Sequence, residues 1–419
     1  MGVGRFVYTP ILPLMHTQAG LSADAGAHLA TANYVGYLAG ALAGILAPAL
    51  VRSRIALRGS LALLTGTLAA MPLMHTTTAW GLLRLLAGAA SALVFVVAAG
   101  SLLHHLRDHP PHLSGWAFGG VGGGIALSGL LILLLRPVAD WRAAWWAAAA
   151  LTTALAAASW NLRPEEAPLA PPAKAKAKGN GNGNGKTKVS GTAGTHRHFG
   201  ALLVSYTLEG VGYIVAGTFL VAAIGQGSEE WVGSGAWVLV GLAAVPSAAL
   251  WARLGRRWSR PGLLFTALLI QATGIALPAL VGGTAAALVS AVLFGATFIG
   301  VSALALAAGA HLRFPRSVAL LTAGYSAGQI GGPLLVAPLL HHGYDRALLL
   351  AAAVVLAAAA SAAVLRIGFP HRVVTEGGRA APTGPEAATG TTLVATTASD
   401  THAPRSRALG HSRGEAGRP

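Results

Sequence analysis

Long apolar runs separated by short polar connections are the dominant pattern along this chain. Runs near the length needed to cross a bilayer, about 20 residues, fall near 1–18, 27–51, 59–75, 79–106, 114–136, 142–162, 199–225, 231–254, 262–281, 284–310, 317–340 and 346–367. With no water in the hydrocarbon, each backbone amide must pair within its own segment, so open-edged strands are excluded and each run reads as a helix. The pattern predicts an all-α integral membrane protein with twelve transmembrane helices in two sets of six. The first run is short and lacks a cytoplasmic lead-in, which raises the expectation of a start upstream of Met1.

Two stretches break the pattern. Residues 163–198 contain RPEEAPLAPPAKAKAKGNGNGNGKTKVSGTAG, Pro-rich, then Lys-rich, then alternating Gly and Asn. Such a stretch buries too little apolar surface to offset its ordering entropy, so it reads as a disordered cytoplasmic linker whose five lysines can touch anionic headgroups. The tail, 369–419, has the same character. The expected organisation is a six-helix half over 1–162, the linker, a second six-helix half over 199–368, and the tail.

Composition agrees: 54% of residues are hydrophobic and 10% charged, against roughly 25% charged in soluble domains. The net charge of +16 would suit nucleic acid, but its distribution argues otherwise. Arg52, Arg54, Arg58, Arg107, Arg253, Arg256, Arg257, Arg260, Arg313 and Arg316 fall in every second connection, while the alternate ones hold few cations beside Asp24, Asp140, Glu229, Glu230 and Asp345. By the positive-inside rule both termini are cytoplasmic, in a cell membrane, with no nucleic-acid partner. The chain has no cysteine, so no disulfide or thiolate metal site is possible. The first run carries Arg5 and two prolines and lacks a cleavage signature, so it does not read as a signal peptide.

The two halves look like repeats. GVGRFVYTP (2–10) matches GVGYIVAGT (210–218), and the arginine-rich turn in APALVRSRIALRGSLALLTG (47–66) matches that in ALWARLGRRWSRPGLLFTAL (249–268). GGVGGGIALSG (119–129) has its counterpart in GYSAGQIGGP (324–333). Parallel six-helix repeats with the substrate at their interface are the plan of major facilitator transporters. GVGRFVYTPILPLM, TANYVGYLAG, LLRLLAGAASALVFV, GGVGGGIALSG, YTLEGVGYIVAGTFLV and GQIGGPLL together resemble the YbfB/YjiJ-type branch of the major facilitator superfamily (MFS). The resemblance covers nearly all the membrane part and none of the linker or tail. It implies proton-linked secondary transport of a small molecule. One departure is the turn VRSRIALRG, which lacks the Asp usual in the superfamily beside its basic residues.

Glu209 is the one acid, of 13 in the chain, well inside a predicted span. An ionisable group at that depth costs roughly 2.5–3.5 kcal/mol on insertion scales, so it faces a cavity or a partner. A titratable acid there suits a carrier that takes and releases a proton; the alternative is a structural hydrogen bond to a neighbouring helix. Tyr206, Glu209 and Tyr213 share one helix face. In the repeat alignment Arg5 falls opposite Tyr213, one turn from Glu209, which makes Arg5 the expected partner of the acid. Arg84 is a second intramembrane cation and resembles the superfamily's fourth-helix arginine, linked to proton coupling; the alternative is an arginine snorkelling to the interface. Asn33, Tyr34, Tyr37 and Gln329 are expected to line the same cavity or to join helices by hydrogen bonds. Arg5 and Arg84 favour an anionic substrate.

The glycines Gly120, Gly122, Gly124, Gly331 and Gly332 read as close-packing positions for helices, since GGVGGGIALSG lacks dinucleotide-loop spacing and follows no strand. His105 and His109 flank Asp108, but Pro110 and Pro111 end the helix and the stretch reads as a charged turn, without metal. One buried acid and scattered arginines are too few for catalysis, so the chain reads as no enzyme and needs no cofactor. A transport-fold sensor is the other class, distinguishable by binding without flux. The expected partners are a small molecule, protons and lipid, with the chain acting as a monomer.

Overall fold

The computed structural model describes residues 1–105, 111–162, 192–312, 314 and 316–367. Residues 163–191 of the linker, the tail from 368, and Arg107, Asp108, His109 and Arg313 lie outside the described residues. Fourteen α-helices account for the described fold: α1 (Gly2–Phe6), α2 (Tyr8–Ala19), α3 (Ala23–Leu46), α4 (Pro48–Arg52), α5 (Arg54–Ala70), α6 (Thr77–His105), α7 (Pro111–Leu135), α8 (Trp141–Ala158), α9 (Thr192–Gly227), α10 (Glu230–Leu254), α11 (Arg260–Val281), α12 (Gly283–His311), α13 (Ser317–Val336) and α14 (Tyr344–Leu365). The described residues contain no strand. Nine of these helical stretches are long and apolar enough to cross a membrane.

Local chemistry sets where the helices begin and break. Ser22, Ser53 and Asp140 each cap a helix by accepting a backbone N–H three residues on, from Ala25, Ala56 and Ala143, which satisfies donors that the helix start leaves orphaned. Gly20 closes α2 in the left-handed conformation at φ 66°, where a side chain would be strained. The first predicted span is divided at Val7. Pro10 has no N–H to give the carbonyl of Phe6, so one rung of the helix is missing there. Pro48 likewise separates α3 from α4.

The linker expectation fails at its end. Residues 192–198 were expected to be disordered, yet helix α9 starts at Thr192. Tertiary contacts hold this extension: His198 bonds the carbonyl of Ile367 at 3.0 Å, His196 meets Phe314 edge-on, and Phe199 stacks on Phe314 at 4.1 Å. Composition alone misses such contacts.

Helix α9 is the axis of the bundle. In its apolar stretch 83% of residues are buried, against 39–61% in the other eight candidate spans, so α9 faces protein nearly all round while the others turn a face to lipid. Around it α3 packs on α6, α5 on α6 and α8, and α1 on α7. Farther along the chain α10 packs on α12, α11 on α12 and α14, and α9 on α13 and α14. Between these groups, α7 packs along α10, α3 on α13, and α2 on α9.

Glycine permits the closest of these approaches. A Cβ on Gly88 of α6 would collide with the backbone carbonyl of Asn33 on α3, and one on Gly295 of α12 with that of Val240 on α10. Of the five glycines expected to pack, Gly122 lies against α10, Gly124 against Gly2, and Gly332 against Val211 of α9. Gly120 and Gly331 face open space and make no close approach. Neither of these two lies on a face of its helix that a neighbouring helix covers closely.

Candidate functional site: two buried charge clusters

Glu209 lies midway along α9 and is fully buried. Its Oε1 accepts one hydrogen bond, from Nε2 of Gln271 on α11 at 3.2 Å, and its Oε2 has no partner. Gln271 in turn leaves its own Oε1 unsatisfied. A run of near-parallel rings stands beside the acid. Tyr206 stacks on Tyr325 at 4.4 Å, Tyr325 faces Tyr213 at 5.9 Å, and Tyr213 faces Phe298 at 5.3 Å, with interplanar angles of 13–17°. Tyr206, Glu209 and Tyr213 thus share a region, as their spacing predicts.

The cations form a second cluster. Arg5 on α1 is 8% exposed and Arg84 on α6 is 2% exposed. Arg84 is therefore no snorkelling arginine; it sits inside the protein, its guanidinium 4.7 Å from the centre of the Tyr8 ring. Its Nη2 donates to the backbone carbonyl of Arg5 at 3.4 Å, while Nε and Nη1 have no partner. Arg5 Nη2 donates to Oε1 of Gln329 on α13, and Arg5 Nε has no partner. The Arg5 guanidinium lies 4.0 Å from the Tyr37 ring centre and 5.6 Å from that of Tyr34, within cation–π range.

The residues singled out from the sequence fall into two clusters, and the pairing differs from the expected one. Arg5 pairs with Gln329 in this conformation, and Glu209 pairs with Gln271. Among the described residues neither arginine forms an ion pair. Asn33 serves helix joining, donating to the carbonyl of Arg84 at 2.8 Å. Tyr34 meets Thr218 of α9 at 3.0 Å. Thr9 donates to the carbonyl of Gly217 at 2.6 Å, and Tyr344 meets Nε2 of His16 at 2.8 Å. A pocket lined by Gln226, Ser228, Gly282 and Asp345 opens at the ends of α9 and α11, and none of the predicted residues lines it.

Sequence reasoning missed Gln271, Tyr325 and Thr218. Gln271 carried a signal, a lone amide in the apolar run LLIQATG. Tyr325 and Thr218 gain their place only from packing.

An all-helical bundle with many bilayer-length helices, and charges buried on its central elements, defines the class of multi-pass membrane proteins to which helical transporters belong. Residues 1–363 match the family described as uncharacterised MFS-type transporter YbfB, and the chain belongs to that family. Among solved structures it is similar to a mutant of the nucleoside transporter NupG, with a TM-score of 0.65 at 13% identity, covering 87% of this chain and 97% of that one; likeness at this identity speaks for the fold. A search of curated proteins found no match.

Proposed function

We propose that the chain is a proton-coupled secondary transporter that moves a small molecule across the cytoplasmic membrane by alternating access. The observation that carries this reading is Glu209: a carboxyl group with no exposure, one oxygen unpartnered, and a neutral amide as its hydrogen-bond partner. A buried charge without a counter-charge is costly, so such an acid is stable when it holds a proton and unstable when it gives one up in place. Exchange then belongs to conformations that wet the site, which is the property a proton carrier needs. A ligand shifts a conformational equilibrium only when it binds the two states unequally.

The architecture supports the same reading. Adding α1 with α2, α8 and α13, which are shorter or more polar, to the nine apolar helices gives twelve spans. The packing pairs α3–α6, α5–α8 and α5–α6 recur in the same order as α10–α12, α11–α14 and α11–α12, as two six-helix repeats over 1–162 and 199–368 require. The arginine alternation supports a cytoplasmic position for both termini, with the segment before α9 joining the halves inside; the chain is read as a monomer. On that topology the contacts of Thr9, His16 and Tyr34 with Gly217, Tyr344 and Thr218 tie the halves toward the outer side. Arg5 and Arg84 favour an anionic substrate.

The test is gradient-driven uptake into vesicles bearing the full-length protein. Glu209→Gln keeps shape and hydrogen-bonding reach without a titratable proton. Accumulation is expected to vanish while substrate binding persists; accumulation equal to the parent's would overturn the coupling role.

A further inference from the structure

Arg5 and Arg84 present an electrostatic problem that the protein itself does not solve. Both guanidinium groups are more than nine-tenths buried, and they lie within electrostatic reach of each other. Neither forms an ion pair among the described residues, and three of their N–H-bearing nitrogens (Nε of each, Nη1 of Arg84) have no acceptor. Glu209, the one acid well inside a predicted span, is engaged with Gln271 and does not pair with them. A buried acid can escape its cost by binding a proton. Arginine cannot be deprotonated in a protein, so its charge must be met from outside.

The surroundings specify what meets it. The oxygens that meet Arg5 are neutral, those of Gln329 and of the Tyr37 hydroxyl, and the other close neighbours are aromatic faces: Phe6 and Tyr34 at Arg5, Tyr8 at Arg84. The stack of Tyr206, Tyr325, Tyr213 and Phe298 lies nearby, with Tyr213 and Tyr325 within electrostatic reach of Arg5. Planar guanidinium forks match a carboxylate by paired N–H···O bonds, and flat ring walls accept a flat ring.

We infer that the substrate is an aromatic monocarboxylate, its carboxylate held by Arg5 and Arg84 and its ring laid against the tyrosines around them. This rests on the proposed transport function and on reading the buried centre between α1, α6 and α13 as the place where substrate is held. It adds a division of labour: the arginines hold the substrate's negative charge, and Glu209, on a separate partner, holds the proton. A monoanion moved together with one proton carries no net charge.

Binding of radiolabelled benzoate to the purified full-length chain in detergent, with no gradient present, tests this. Benzamide supplies the same ring without charge, and acetate the charge without the ring; each is used as an unlabelled competitor. Benzoate is expected to bind, with benzamide and acetate each weaker by about tenfold or more. Arg5→Gln and Arg84→Gln are each expected to weaken benzoate by about thirtyfold or more, and the Lys variants less, since charge survives without the fork. Gel filtration and thermal melting establish that each variant is folded. Should Arg84→Gln fail to fold, Arg5→Gln and the benzoate-to-benzamide ratio on the parent chain decide the matter. The inference is overturned if benzoate does not bind, if benzamide competes equally, or if folded Arg5→Gln binds benzoate undiminished. Glu209→Gln is expected to keep benzoate binding. Loss of binding there would overturn the division of labour, whereas loss of accumulation with binding intact bears on coupling alone.

Discussion

The arginine cluster on α1 and α6 and the glutamate cluster on α9 and α11 are both buried, both hydrogen-bonded to a glutamine, and both bordered by tyrosine rings. They differ in what each charge can do about its burial. Glu209 becomes neutral by taking up a proton, and Gln271 serves the neutral and the ionised form alike. Arg5 and Arg84 stay cationic, so the orphaned nitrogens around them are an unmet demand for an anion. Two similar environments therefore impose different duties because the chemistry of their central groups differs.

The largest expected effects come from glycines at close helix crossings near each cluster, Gly88 between α6 and α3 and Gly295 between α12 and α10. Gly88→Leu in the arginine region and Gly295→Leu in the glutamate region each drive a side chain into a facing backbone carbonyl. Overpacking costs about 1–3 kcal/mol or more, and both variants are expected to lose folded protein by gel filtration after detergent extraction. Tolerance at one site alone would break the equivalence of the two scaffolds. Gly120→Ala and Gly331→Ala, which meet nothing, are the controls and are expected to behave as the parent.

Next in size is Gln271→Leu, which removes the hydrogen bond to Glu209. Leaving a buried polar group unsatisfied costs about 1–3 kcal/mol, and the cost is larger when that group is ionised. Melting measured across pH should therefore show a greater loss of stability in alkaline than in acidic buffer. Gln329→Leu removes an acceptor of Arg5, a permanently charged group, at a comparable cost of about 1.5–3 kcal/mol. Because arginine keeps its charge throughout, that loss should be flat over the same pH range. A flat profile for Gln271→Leu, or a sloping one for Gln329→Leu, would erase the contrast between the clusters. Smallest is Tyr34→Phe, which breaks the contact with Thr218 between α3 and α9. Interhelical bonds in membranes are worth about 0.6 kcal/mol, so only a slight fall in melting temperature is expected.

Much of this was legible in the sequence. Bilayer thickness and the need to pair backbone groups fix where the helices run, so the predicted spans coincide with the observed helices to within a few residues at most ends. The exceptions have local or tertiary causes: Pro10 divides the first span, and Phe314 with Ile367 orders residues that composition reads as disordered. The buried charges were legible as singular polar groups in apolar runs, which is how the candidates Glu209, Arg5 and Arg84 stand out. Their partners were not. Spacing along one helix cannot tell whether Arg5 turns toward Glu209 or toward Gln329, 324 residues away, because that choice depends on how helices distant in the chain cross.

The break at Val7 turns the first span into an articulated rod. The short arm α1, bearing Arg5, rests on α7, where Gly2 meets Gly124; the long arm α2 leans on α9 and holds Thr9 against Gly217. A rigid rod anchored at both places would have to tilt as one piece whenever α7 and α9 shifted against each other. With the rung between Phe6 and Pro10 absent, fewer hydrogen bonds resist bending at that joint, the bonds from Val7 to Val3 and from Ile11 to Val7 being among those that remain. The arm carrying the cation and the arm tied across the bundle are thereby free to follow different neighbours.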